Sequence, residues 1–276
     1  MDFDVVLSSG RVRARRWGEP GAPLLLCVHG LSANLSAFDY LAGRLAAELP
    51  ERQVVAFDLR GCGRSEVTPA GTYGLDAHVA DVLELASALG ADTFDLAGWS
   101  LGALISMTVA LRAGDRVRSI ALIDHAGPSQ ASALEPIRAG LARLDLHAET
   151  PEEYLDHMRA AGVVDRWSPF WDTFYTYDLE AAPGGGWWPR TCRAAAEEDF
   201  HQRWPRDWSE HWRALTMPAV LVRATAADHD QRVVPDRAVR ALHEVNPGVR
   251  VVETPAGNHF TCMTDPVTAA ALRSVL

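Results

Sequence analysis

Two rhythms of apolar and polar positions follow one another along the chain. Residues 3–8 and 11–17 flank Ser9-Gly10 and predict an early antiparallel strand pair. Leu24-Leu25-Leu26-Cys27-Val28 is an unbroken apolar run behind Pro23, the pattern of a strand buried on both faces. Residues 35–48 change to helical spacing, with Leu35, Phe38, Leu41 and Leu45 mostly on one stripe. A strand near 53–58, a helix over 75–89, a strand at 93–98, a helix to about 112 and a strand at 117–124 continue the pattern. Strands and helices that recur in this way predict an α/β fold, a mostly parallel central sheet with helices on both faces.

The rhythm breaks after Gly127-Pro128. Residues 128–213 hold long helical patterns, no convincing central strand, and seven of the nine tryptophans. Strand patterns return at 219–222 and 249–252, separated by a helix near 235–245 and followed by a last helix over 266–275. The expected organisation is therefore a core of residues 1–127 and 214–276, with a largely helical lid, residues 128–213, inserted after the sixth strand.

Composition narrows the function classes. Hydrophobic residues are 48% of 276, enough for a substantial core. The formal charge is -10, from 26 Lys+Arg against 36 Asp+Glu, with no basic stripe, so neither nucleic acid nor membrane is expected as a partner. Cys27, Cys62, Cys192 and Cys262 form no Cys-x-x-Cys pair, which signals neither zinc nor a disulfide framework. Without a leader-like start or an 18-residue apolar run, the expected location is cytoplasmic. The segment Asp58-Leu59-Arg60-Gly61-Cys62-Gly63-Arg64-Ser65 is glycine-rich, but it lacks the Lys-Ser/Thr ending of a phosphate loop and a full Gly-x-Gly-x-x-Gly. It reads as a shaped turn with Arg60 paired locally, and no cofactor or metal is expected.

The chemistry begins at Gly98-Trp99-Ser100-Leu101-Gly102, a Gly-x-Ser-x-Gly run between a buried strand and a helix start. That context predicts a sharp turn that lifts the Ser100 hydroxyl beyond the sheet as a nucleophile, rather than an ordinary helix cap. A serine needs a base, and His259 follows the last strand, at the same sheet edge in a parallel sheet. The acid that orients the imidazole is expected at Asp228, with Asp124 and Asp230 as alternatives, because all three lie in loops after strands. Backbone N–H groups of Leu31 and Leu101 are the expected oxyanion donors. Trp99, His125, Trp167, Phe170, Trp171, Phe174 and Phe260 are the pocket candidates, on the argument that lid aromatics wall an apolar site.

Val28-His29-Gly30-Leu31, the Asp58 to Ser65 segment, Gly98 to Gly102 and Gly257-Asn258-His259-Phe260 occur in one order across most of the chain. Together they resemble the α/β-hydrolase superfamily, in its group of lid-bearing, cofactor-free serine esterases. The resemblance implies Ser100 as nucleophile, His259 as base and the amides of Leu31 and Leu101 as oxyanion donors. The family's usual acid loop has a glycine near position 224, where this chain has Ala224, and some thioesterase-like relatives carry the acid after the earlier strand, at the position of Asp124. The expected function is hydrolysis of a small or medium apolar or aromatic carboxylic ester through an acyl-enzyme. Alternatives are a lactonase, thioesterase or carbon–carbon bond hydrolase with the same triad, or a catalytically idle ligand-binding homologue.

Overall fold

The computed structural model describes residues 1–128, 134–202, 204–205, 207–226 and 232–276. The core opens with β1 (Asp2–Leu7), β2 (Gly10–Trp17) and β3 (Leu24–Val28), then α1 (Asp39–Glu48), β4 (Gln53–Phe57), α2 (Leu75–Ala88), β5 (Phe94–Trp99), α3 (Leu101–Ala113) and β6 (Val117–Ile123). The insertion holds α4 (Leu134–Ala142), α5 (Pro151–Ala160), α6 (Pro169–Tyr177), the strands β7 (Leu179–Ala181) and β8 (Trp187–Pro189), α7 (Arg193–His201) and α8 (Ser209–Arg213). The core resumes with β9 (Ala219–Ala224), α9 (Asp236–Val245), β10 (Arg250–Thr254) and α10 (Pro266–Arg273).

Eight strands form one sheet in the order β1-β2-β4-β3-β5-β6-β9-β10. The β1/β2 and β2/β4 pairs are antiparallel and all others parallel. The continuous apolar runs are explained by burial on both sides. Leu24, Leu26 and Val28 pack in the cluster under α2 and α3, whereas Leu25 and Cys27 pack in the cluster under α1 and α10. The same alternation sends Leu96 to one face and Ala97 and Trp99 to the other. Register aligns the strand ends: Val28 pairs with Gly98, and Trp99 with Ile123. The loops after β3, β5 and β6 therefore leave the sheet side by side.

The insertion after β6 is the expected helical lid, with one addition, the short antiparallel ribbon β7/β8. Its last helix, α8, lies against α3 and α9, and Trp212 Nε1 donates to Ala126 O at 2.8 Å. Side chains tie the lid down: Tyr177 donates to Asp58 at 2.7 Å, and His78 of α2 meets both carboxylate oxygens of Asp199 at 2.9 Å. Arg60 pairs locally, as expected, through two N–H donors to Asp81.

Candidate active site

Ser100 sits between β5 and α3 with φ 56° and ψ -116°, a conformation that L-residues avoid. The flanking glycines make it possible. A Cβ on Gly98 would lie 2.1 Å from Gly102 O, and one on Gly102 would lie 1.9 Å from Val28 O. Strand and helix thus cross at a distance that no other residue permits. Among the described residues the other non-glycine positions with positive φ are Ser32 (53°) and Asp124 (47°), at the neighbouring loops. Backbone strain is concentrated at this one edge of the sheet, where preorganised sites commonly store it.

His259 follows β10 and lines the same cavity as Ser100. Its Nδ1 lies 2.8 Å from Asp124 Oδ2, while Asp124 Oδ1 accepts from Ala224 N at 2.9 Å. An ionised carboxylate only accepts, so this contact keeps the ring proton on Nδ1 and leaves Nε2 as an acceptor. Ser100 and His259 face the cavity without a direct hydrogen bond, a resting geometry common before substrate binds. Asp228 and Asp230 lie outside the described residues. The carboxylate seen against His259 is that of Asp124, because β6 is the immediate neighbour of β5 and its strained last turn aims the side chain along the edge.

The histidine loop is held by a residue that sequence reasoning passed over. Asn258 Oδ1 accepts from Phe260 N and Thr261 N at 2.9 and 3.0 Å, and its Nδ2 donates to Val163 O of the lid. An Asn two residues before an amide it receives, here that of Phe260, is the Asx-turn pattern, a signal available in Gly257-Asn258-His259-Phe260. Trp99 Nε1 donates to His259 O at 3.0 Å, and the two rings stand 5.5 Å apart.

The amides of Leu31 and Leu101 have no hydrogen-bond partner among the described residues. Leu101 begins α3, where free N–H groups and the helix dipole favour negative charge. Gly30 faces the nucleophile closely, since a Cβ there would lie 3.1 Å from Ser100 Cβ. His29 braces this loop: Leu59 N–H donates to its Nε2 at 2.9 Å, so the proton is on Nδ1, which donates to Gly30 O at 2.8 Å. Burial pushes the His29 pKa down to about 4, and burial does the same to His125, with the nearby His259 lowering it further.

The cavity has about 680 Å³ of empty space, open mouth included. Of the expected pocket residues, Trp99, Phe174 and Phe260 line it. His125 stands beside the dyad rather than in the wall. Trp171 is fully buried and packs edge-on against Phe170, Phe174 and Phe260, which makes it the lid's own core. Trp167 and Phe170 line a separate outer groove, and Trp167 stacks on Tyr175 with 5.6 Å between centroids. Tyr175, from the same run of lid aromatics, also lines it, and Met158, Val163 and Arg143 join the cavity wall without having been anticipated. Among the described residues no group of His, Cys, Asp and Glu side chains converges to hold a metal ion, and no helix is long and apolar enough to cross a membrane.

Comparison with known proteins agrees with this fold. N-formylmaleamate deformylase of Pseudomonas putida is 26% identical over 249 residues, covering 89% of this chain and 84% of that protein. A putative carbamate hydrolase, RutD of Escherichia coli, is 25% identical over 260 residues, covering 91% and 90%. The crystal structure of E-2-(acetamidomethylene)succinate hydrolase superposes with a TM-score of 0.86 at 23% identity, over 100% of this chain and 98% of that one. Residues 23–266 match the family described as alpha/beta hydrolase fold, and the chain belongs to that family.

Proposed function

We propose that the chain is a serine hydrolase that cleaves a small carboxylic ester through an acyl-enzyme. The observation that carries this reading is the 2.8 Å contact between His259 Nδ1 and Asp124, which leaves Nε2 free to act on Ser100 in a shared cavity. His259 Nε2 takes the Ser100 proton as Oγ attacks the acyl carbon, and the carbonyl π electrons move onto its oxygen. The amides of Leu31 and Leu101 hold that oxyanion, and Asp124 stabilises the imidazolium. The oxyanion collapses, the bond to the leaving group breaks, and His259 returns the proton to it. Water repeats the sequence at the acyl-Ser100 ester and restores the hydroxyl. Trp99, Phe174, Phe260 and Met158 give the acyl group an apolar wall.

A second reading moves the scissile bond from C–O to C–N. It is favoured by the names of two relatives, a deformylase of a maleamate and a putative carbamate hydrolase. The nucleophile, base and oxyanion donors are the same in both. Lactones, thioesters and activated carbon–carbon bonds complete the panel that would sort the leaving group.

The test is a fluorophosphonate probe read by intact mass and peptide mapping. One adduct on Ser100, absent from Ser100→Ala, is expected. A folded protein that takes no adduct sinks the proposal and leaves a ligand-binding homologue.

A further inference from the structure

Arg143 is a charged side chain in a cavity wall that, among the described residues, is otherwise neutral apart from the His259 ring. It comes from the lid, in the turn directly after α4, and its side chain is only 6% exposed. A lone guanidinium at that depth requires compensation, which hydrogen bonds and the face of the Tyr175 ring, 5.8 Å from the guanidinium carbon, supply. Nη1 donates to Tyr154 Oη at 3.0 Å, and Nη2 donates to Asp178 Oδ2 at 2.9 Å and to Ser32 O. Asp178 is fully buried, does not line the cavity, and is fixed from behind by Thr191 N and Oγ1. Ser32, whose positive φ presents that carbonyl, lies in the same loop as the Leu31 amide. The guanidinium is therefore clamped against the oxyanion loop. Three of its five N–H groups have protein partners among the described residues, and Nε–H with one Nη1–H does not.

We infer that Arg143 is a specificity residue that binds an acceptor group on the acyl part of the substrate, and that the favoured substrates carry a carboxylate there. A guanidinium donates and never accepts, so a hydrocarbon end would leave its remaining N–H groups desolvated, whereas a carboxylate satisfies them with a charge-assisted bond. The hold on Ser32 fixes the distance from that anchor to the oxyanion donors. The aromatic wall then accommodates the chain between the two polar ends. The inference rests on the acyl-hydrolase reading of the same site.

Two esters with one leaving group separate the effects: p-nitrophenyl butanoate and mono-p-nitrophenyl glutarate. The readout is the ratio of kcat/KM for the charged ester over the neutral one, in wild type, Arg143→Lys and Arg143→Gln. The wild-type ratio is expected to exceed one. It should fall about tenfold to a hundredfold in Arg143→Gln, the worth of a charge-assisted bond, and by less in Arg143→Lys. Should Arg143→Gln fail to fold because Asp178 is left unpaired, the double variant R143Q/D178N removes both charges and is read in its place. A wild-type ratio at or below one, or a ratio unchanged in the folded variants while Ser100 still takes the fluorophosphonate, overturns the role of Arg143 alone. A wild type that neither labels nor turns over either ester overturns the acyl-hydrolase reading, and this inference falls with it.

Discussion

Asp124→Asn separates chemistry from architecture at the candidate site. Asp124 is 1% exposed and makes two contacts of different kind, one to a backbone amide and one to the imidazole. Asparagine has nearly the same shape, tolerates the positive φ of 47°, and its carbonyl oxygen still receives Ala224 N–H. Its amide then faces His259 Nδ1 with a donor. The ring answers by moving its proton to Nε2, where it opposes proton transfer from Ser100. Loss of the bond to the imidazolium accounts for about 1.5–3 kcal/mol, or roughly tenfold to 150-fold. The wrong tautomer raises the total to about 10⁴ in kcat, as in other triads whose acid becomes an amide. The assay is steady-state hydrolysis of p-nitrophenyl butanoate, with the melting temperature measured in parallel. Asp228→Asn is the control. The carboxylate position against Nδ1 is filled by Asp124, so Asp228→Asn should keep turnover within about threefold. Asp124→Asn retaining more than a tenth of wild-type kcat, or Asp228→Asn losing a thousandfold with the fold intact, would refute the assignment.

The close strand–helix crossing and the buried titratable groups give further expected outcomes. Gly102→Ala places a methyl 1.9 Å from Val28 O and 2.8 Å from His29 O, so β3 and α3 must part; urea unfolding should show a loss of about 3 kcal/mol. Gly43→Ala, in α1 with open space around its Cβ position, should instead stabilise by about 0.5–1 kcal/mol, and equal midpoints for the two variants would contradict the close-crossing argument. His29 should stay neutral with its proton on Nδ1 until the pH nears 4, as read by imidazole ¹⁵N NMR, and protonation near pH 6.5 would contradict the bond from Leu59 N–H. Its folded pKa lies below the unfolded value of about 6.5, so the unfolded chain takes the proton first. Stability from His29 is complete above pH 6.5 and lost, up to about 3 kcal/mol, as pH falls toward 4. Burial acts oppositely on Asp58, raising its carboxyl to about 7, so the folded state gains from acidification between about 7 and 4. Site-resolved NMR isolates His29, whereas a melting curve records the sum.

The chain itself determined the sheet, the elbow and the lid. Runs such as Leu24 to Val28 announce two-sided burial locally, and Gly98 and Gly102 announce a close crossing, because each property belongs to consecutive residues. The place of His259 followed from topology, since loops after parallel strands emerge at one edge. Which carboxylate meets the imidazole did not follow: Asp124 and Asp228 both succeed strands in the sequence, and sequence spacing carries no information about which side chain turns toward a ring 135 residues away. Adjacency of β6 to β5 and the left-handed turn at Asp124 decide it. The lid aromatics show the same limit. Helical spacing pairs Phe170 with Phe174 and Trp167 with Trp171, but only packing shows that Phe174 meets the cavity while Trp171 fills the lid. Arg143 was the least legible, because an arginine at a helix end reads as solvated until Asp178, Tyr154 and Ser32 close around it. Local burial and backbone geometry are written in neighbouring residues, whereas the direction of a side chain at a shared edge is set by contacts between segments far apart in the chain.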